Sequence, residues 1–118
     1  GVAMKSFKNW GVLHQKISKM YLTDTLQKRK ELMYKKSDAF IVLPGGIGTI
    51  DEVFEVIATN ILTKSNKLLI LLNYKKFWIK LIDLLNDNIK QKYSKKEIKD
   101  NIKITTSINK IFAILNKV

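Results

Sequence analysis

Cysteine is absent from this 118-residue chain, and proline, arginine and histidine each occur once. Each scarcity closes a route. Without cysteine there is no disulfide, no thiol nucleophile and no thiolate-bound metal, and such a composition fits a cytoplasmic chain. A single histidine, His14, cannot build a metal cluster and reads as a surface or packing residue. No serine stands in a nucleophile elbow, so a Ser-His-Asp site has no support. The apolar runs, Leu68–Leu72 among them, stay far short of the roughly 20 residues of a membrane span. No membrane partner is expected, and the opening residues show no secretory-signal pattern.

Acid is also scarce. Lysine and arginine number 22 against 10 acidic residues, giving a net charge of +12. That balance raises the question of nucleic acid. The lysines, however, are scattered, in short pairs such as Lys35-Lys36, Lys75-Lys76 and Lys95-Lys96. Dispersed lysines describe a solvated surface, and no specific nucleic-acid partner is expected. The charge would still draw in phosphorylated molecules and make weak binding to RNA or DNA salt-sensitive. With 46% apolar residues, the chain reads as one domain with a modest core.

The apolar pattern alternates between strand-like runs and helix-like periods. Gly1–Met4 reads as the end of a strand. A helix is expected over Lys5–Leu22, carried by Trp10, Leu13, Ile17 and Met20 or Tyr21. Thr23 or Asp24 would cap the next helix, to about Lys36, with Leu26, Arg29, Lys30 and Met33 on one inward stripe. Strands are expected at 39–43, 67–72 and 102–106. Helices are expected at 50–62, at 77–93 with Phe77, Leu81, Leu84, Leu85 and Ile89 on one side, and after a Ser107 cap with Ile108, Ile111, Phe112 and Leu115 inward. Trp78 and Tyr74 read as core or interface packing. The order implies an α/β fold, a Rossmann-like parallel sheet flanked by helices. Three strands make a thin sheet, so an apolar edge should be covered by further chain or by a partner subunit.

The most informative stretch is Pro44-Gly45-Gly46-Ile47-Gly48-Thr49-Ile50-Asp51-Glu52. It follows a strand and opens a helix. Free backbone N–H groups at a helix start form an anion site, most often for phosphate. Glycines allow close approach of a ligand and positive φ. Glu52 should then lie in the first helical turn, at the rim of the pocket. Two plainer readings stand beside this one. Pro-Gly-Gly is a good turn after any strand, and Thr49-x-x-Glu52 has the form of a capping box.

A second segment bears on the choice. Asp24–Leu43 reads DTLQKRKELMYKKSDAFIVL and runs directly into PGGIGTIDE. The pair R-K-x-x-M and D-A-F-x-x-L-P-G-G-x-G-T-x-x-E closely resembles the Lonely Guy (LOG) family. These are cytokinin riboside 5′-monophosphate phosphoribohydrolases, labelled in older usage "possible lysine decarboxylase". The clear match covers Thr25 to about Glu55, with a looser one through Lys67–Asn73. The resemblance implies that Arg29 and Glu52 are catalytic. It implies that Gly45, Gly46, Gly48 and Thr49 bind the nucleotide phosphate and ribose, with Lys30 as a second basic contact. The implied reaction cleaves the N-glycosidic bond of an N6-modified adenosine 5′-monophosphate, with no metal or redox cofactor. A homodimer with its active site near the subunit interface is implied as well. Arg29, the one arginine of the chain, falls at the motif position, and its guanidinium fork suits phosphate or ribose oxygens.

Departures are also present. Gln27 stands where the family often has histidine or arginine, and Thr59 and Ile61 where it often has Trp and Gln. These put base specificity in question more than phosphate binding. Family members typically begin with two or three further β–α units that include another glycine-rich loop. The chain is therefore expected to represent the C-terminal portion of a LOG-like domain over 1–118, as a fragment or a truncated gene product. Two other functions are left open: a non-catalytic nucleotide-binding module or inactive remnant, and a basic nucleic-acid binder whose affinity would ignore Glu52.

Overall fold

The computed structural model describes every residue except Val12, Gln15 and Val118. It is α/β, with parallel sheets flanked by helices, and it divides into two compact units, Gly1–Ser37 and Asp38–Val118.

The first unit contains β1 (Val2–Met4), α1 (Lys5–Asn9), β2 (Tyr21–Thr23) and α2 (Leu26–Lys36). β1 and β2 pair in parallel, with Ala3 opposite Leu22. The long helix expected over Lys5–Leu22 is not formed. Only α1 is helical, and the chain returns to a strand at Tyr21. Gly11, at φ +67, lies just beyond α1 in a backbone region that favours glycine. Two of the residues in that expected helix, Val12 and Gln15, lie outside the described residues. The cap of α2 is Thr25, one place after the expected residues, and its Oγ1 accepts the Lys28 N–H at 3.2 Å. Thr23 is instead buried in β2, where its hydroxyl donates to the Ala3 carbonyl at 3.3 Å. α2 buries no residue completely: Arg29, Lys30 and Met33 are half-buried, and Leu26 is exposed.

The second unit holds β3 (Ala39–Val42), α3 (Ile47–Thr63), β4 (Leu68–Leu72), α4 (Ile79–Lys90), β5 (Ile102–Thr105) and α5 (Ile108–Leu115). The strands form a parallel sheet in the order β3-β4-β5. β4 reads Leu-Leu-Ile-Leu-Leu because a central parallel strand is covered on both faces. Leu68, Leu69, Ile70 and Leu71 are all buried. Leu68 and Ile70 pack with Ile111 of α5, together with Ala39, Leu72, Ile114 and Leu115. Alternate residues of a strand face opposite sides, and α3, with Val53, Val56 and Ile57 buried, also packs on β4.

The helix faces differ in detail from the expected stripes. In α5, Ile111 is buried, but Ile108 and Phe112 are 61% and 59% exposed. In α4 the buried residue is Leu85, while Leu84, and Phe77 just before the helix, are exposed. Trp78 is fully buried, as core, whereas Tyr74 is exposed. Among the described residues, no helix is long and apolar enough to cross a membrane.

Candidate functional site

The glycine loop leaves the C-terminal end of β3 and enters α3, the side on which open α/β sheets take ligands. α3 starts three residues earlier than the sequence suggests, at Ile47, with Gly46 as its N-cap. Two expectations change with it. Thr49 is inside the helix, its N–H donating to the Gly46 carbonyl at 3.0 Å, so it is not the N-cap of a capping box. Glu52 stands in the second turn, not the first. The cause is local: a glycine cap lets the backbone turn into the helix directly after Gly46, with no side-chain bond from the cap residue.

That start has the makings of an anion site. The first N–H groups of a helix have no partner in a preceding turn, and here Gly46 offers no side chain to satisfy them. Gly48 and Thr49 lie four and three residues before Glu52, so all three share a face, one turn apart. Glu52, half-buried, therefore stands on the same face of α3 as the residues that open the helix.

The three glycines have different reasons to be glycine. A Cβ on Gly45 would collide with the Thr49 side chain, coming within 2.8 Å of its Cβ. Packing inside the protein thus requires glycine there. A Cβ on Gly46 or Gly48 would meet nothing within 4 Å. The protein's own packing does not demand glycine at those two positions, and the space before them is open to a ligand. Positive φ is not the reason at any of the three, since Gly11 is the one described glycine with positive φ.

Arg29 and Lys30 belong to the first unit. Thr25 caps α2, and the Arg29 N–H continues the helix to the Thr25 carbonyl at 3.1 Å. The Arg29 Nε donates to the Val2 carbonyl at 3.2 Å, which ties the guanidinium to β1. The predicted residues are thus divided. Gly45, Gly46, Gly48, Thr49 and Glu52 come together at the head of α3, and Arg29 and Lys30 lie together on α2.

One residue that sequence reasoning passed over is Asn73. It follows β4 directly and is 6% exposed. Its only signal in the sequence is position, a polar residue at the C-terminal end of a buried parallel strand.

A protein-family model described as "Possible lysine decarboxylase" matches residues 1–115. Among curated proteins, a cytokinin riboside 5′-monophosphate phosphoribohydrolase of Mycobacterium tuberculosis is 58% identical over 36 residues, 30% of this chain and 19% of that protein. One from Rhodococcoides fascians is 36% identical over 72 residues, 61% of the chain and 36% of that protein. One from Arabidopsis thaliana is 34% identical over 86 residues, 73% of the chain and 40% of that protein. The chain thus spans less than half the length of these relatives.

Proposed function

Because this chain belongs to the possible lysine decarboxylase family, the Lonely Guy proteins, we propose that its protein is a nucleoside 5′-monophosphate phosphoribohydrolase. The observation that carries the reading is the head of α3. It combines a glycine-capped helix start, open space before Gly46 and Gly48, and the Glu52 carboxylate one turn along the same face. A phosphate at the helix start would place the ribose of a nucleotide beside that carboxylate.

The chemistry follows from those groups. The bond between the base nitrogen and ribose C1′ breaks with both electrons leaving on the base. Positive charge develops on the ribose, as in other glycosidic cleavages. Glu52 opposes that charge and takes a proton from the water that attacks C1′. The base leaves with a proton, and ribose 5-phosphate remains. Arg29 supplies a fixed positive fork for phosphate or ribose oxygens, with Lys30 as the second cation. The substrate is AMP or an N6-modified AMP, the latter releasing a cytokinin. No metal or redox cofactor enters this chemistry. Both units are assigned to one domain of the family, whose model spans them, and the protein is assigned to the cytoplasm.

A homodimer is part of the proposal, and α3 supports it. Ile47, Ile50, Phe54, Ala58 and Ile61 are spaced symmetrically about Phe54, and Ile47, Phe54 and Ile61 are exposed. An antiparallel two-fold contact requires such a self-complementary stripe. The helix also contains no lysine, so this face adds no positive charge to the contact of two strongly basic chains.

The test is product release from AMP and N6-isopentenyl-AMP, with light scattering to read the oligomer. Release that Glu52→Gln and Arg29→Ala both abolish is the expected result. A folded protein that binds AMP without turnover would instead be a nucleotide-binding module. One that binds RNA but no nucleotide would overturn the reading altogether.

A further inference from the structure

Asn73 is held by both ends of its polar complement. Its N–H donates to the Thr105 carbonyl at 2.8 Å, extending the ladder between β4 and β5. Its Oδ1 accepts the backbone N–H of Trp78 at 2.9 Å, closing the turn that leads into α4. A backbone N–H can only donate, so the orientation of the amide is fixed. The Oδ1 faces Trp78, and the Nδ2 presents two N–H donors on the opposite side. Among the described residues those donors meet no acceptor, and they reach solvent although the residue as a whole is only 6% exposed. The same turn holds a different kind of donor, the Trp78 Nε1, which is buried and without a partner among the described residues.

Capping alone does not ask for this arrangement. Asp, Ser or Thr would receive the Trp78 N–H as well and would leave no amide donor over. The position suggests what the donor is for. β3 and β4 are parallel neighbours whose last paired residues are Val42 and Leu71, so Asn73 follows β4 at the same edge of the sheet at which Pro44 follows β3. Pro44 opens the glycine loop. Asn73 therefore stands at the edge of the sheet on which open α/β folds take ligands, at the end of the strand neighbouring the one that leads into the glycine loop.

We propose that Asn73 is a substrate-contacting residue whose Nδ2 donates a hydrogen bond to an oxygen of the nucleotide's ribose 5-phosphate. The inference rests on the functional reading above. The informative variant is Asn73→Asp. It keeps the acceptor for Trp78 and adds an anion near the start of α4, where negative charge is favoured, but it removes the donor.

The expected result is a melting temperature at or above the parent's, with the Kd and KM for AMP raised at least tenfold. The loss should persist at high salt, which screens long-range repulsion, and adenosine binding should change by less than twofold. Asn73→Asp with parental melting and an AMP Kd within twofold of the parent overturns the proposal and leaves the functional reading standing. Equal losses for adenosine and AMP overturn the assignment to the ribose phosphate. A parent that binds no nucleoside monophosphate overturns both. If the Asp variant does not fold, Asn73→Ser carries the same test, since it keeps an acceptor oxygen and removes the amide.

Discussion

The two units hold themselves together by different means. Among the described residues, Ala3 is the one buried apolar residue in Gly1–Ser37; the others lie in Asp38–Val118. The second unit has a central strand covered on both faces, and the glycine loop is mounted directly on that sheet. The first unit relies on polar ties: Arg29 Nε to the Val2 carbonyl, Thr23 to the Ala3 carbonyl, and the Lys5–Asp24 ion pair. The difference bears on function. The proposed phosphate cradle and Glu52 stand on a rigid core, while Arg29 stands on an element with almost no core beneath it. A single polar bond in the first unit therefore matters more to local geometry than a similar bond would in the second.

The sharpest way to break this comparison is to remove apolar bulk from each unit. Ile70, fully buried in β4, should cost about 3–4 kcal/mol when truncated to alanine, through lost transfer energy and the cavity left behind. Leu26 on α2 is 46% exposed, and Leu26→Ala should stay within about 0.5 kcal/mol. Urea denaturation reads both. Equal losses would mean that the first unit owns a core which burial does not reveal.

A second pair of variants separates packing from ligand space. Gly45→Ala forces a methyl against Thr49 and should destabilise by about 1–3 kcal/mol. Gly48→Ala has open space in front of it and lies within a helix, so it should stabilise by about 0.5–1 kcal/mol. Both should weaken AMP binding, the first by distorting the loop and the second by filling the cradle. Thermal melting and calorimetry together read the two signs. A Gly48→Ala protein that is more stable and binds AMP as tightly as its parent would remove Gly48 from the site.

The sequence made the second unit legible and much of the first obscure, for physical reasons. β4 is five consecutive apolar residues, and no other element accommodates that pattern so near a glycine loop. The motif helix α3 was visible as a helix, yet its start was misplaced, because a glycine N-cap leaves no side-chain signature and Thr49 supplies a decoy. The apolar period over Trp10–Met20 suggested a helix, but amphipathic spacing needs a surface to pack on, and the first unit offers little. Ile108 and Phe112 were expected inward by spacing alone. Four lysines, Lys64, Lys75, Lys76 and Lys92, adopt positive φ where glycine or asparagine would have announced a turn. Lys64 and Lys92 end α3 and α4 in this way. The glycine loop and Glu52 are candidates that local spacing and the motif offer. Asn73 is a candidate that local spacing does not offer, because its place is set by the sheet edge at which β4 ends.

The smallest effect concerns the polar ties themselves. The Lys5 Nζ lies 2.6 Å from Asp24 Oδ1, joining α1 to the chain after β2. Its hydrogen bond, then its charge, with a lesser contribution from Lys28, holds the Asp24 carboxyl below the ordinary value of 3.8. The direction fixes the pH dependence. A carboxyl with a lowered folded value adds stability that is fully present above 3.8 and lost as pH falls through that lowered value. Both side chains are more than half exposed, so the gain is small and screened by salt. Asp24→Asn should therefore lower the first unit's protection against hydrogen exchange slightly at neutral pH and low salt. In strong acid or at high salt it should leave that protection unchanged. The Asp24 carboxyl carbon, followed by NMR, should titrate below 3.8 in the parent and near it in Lys5→Ala. A titration unmoved by Lys5→Ala would leave the first unit dependent on its backbone carbonyl bonds, and would place the setting of α2, and of Arg29 upon it, on the bond from Nε to Val2.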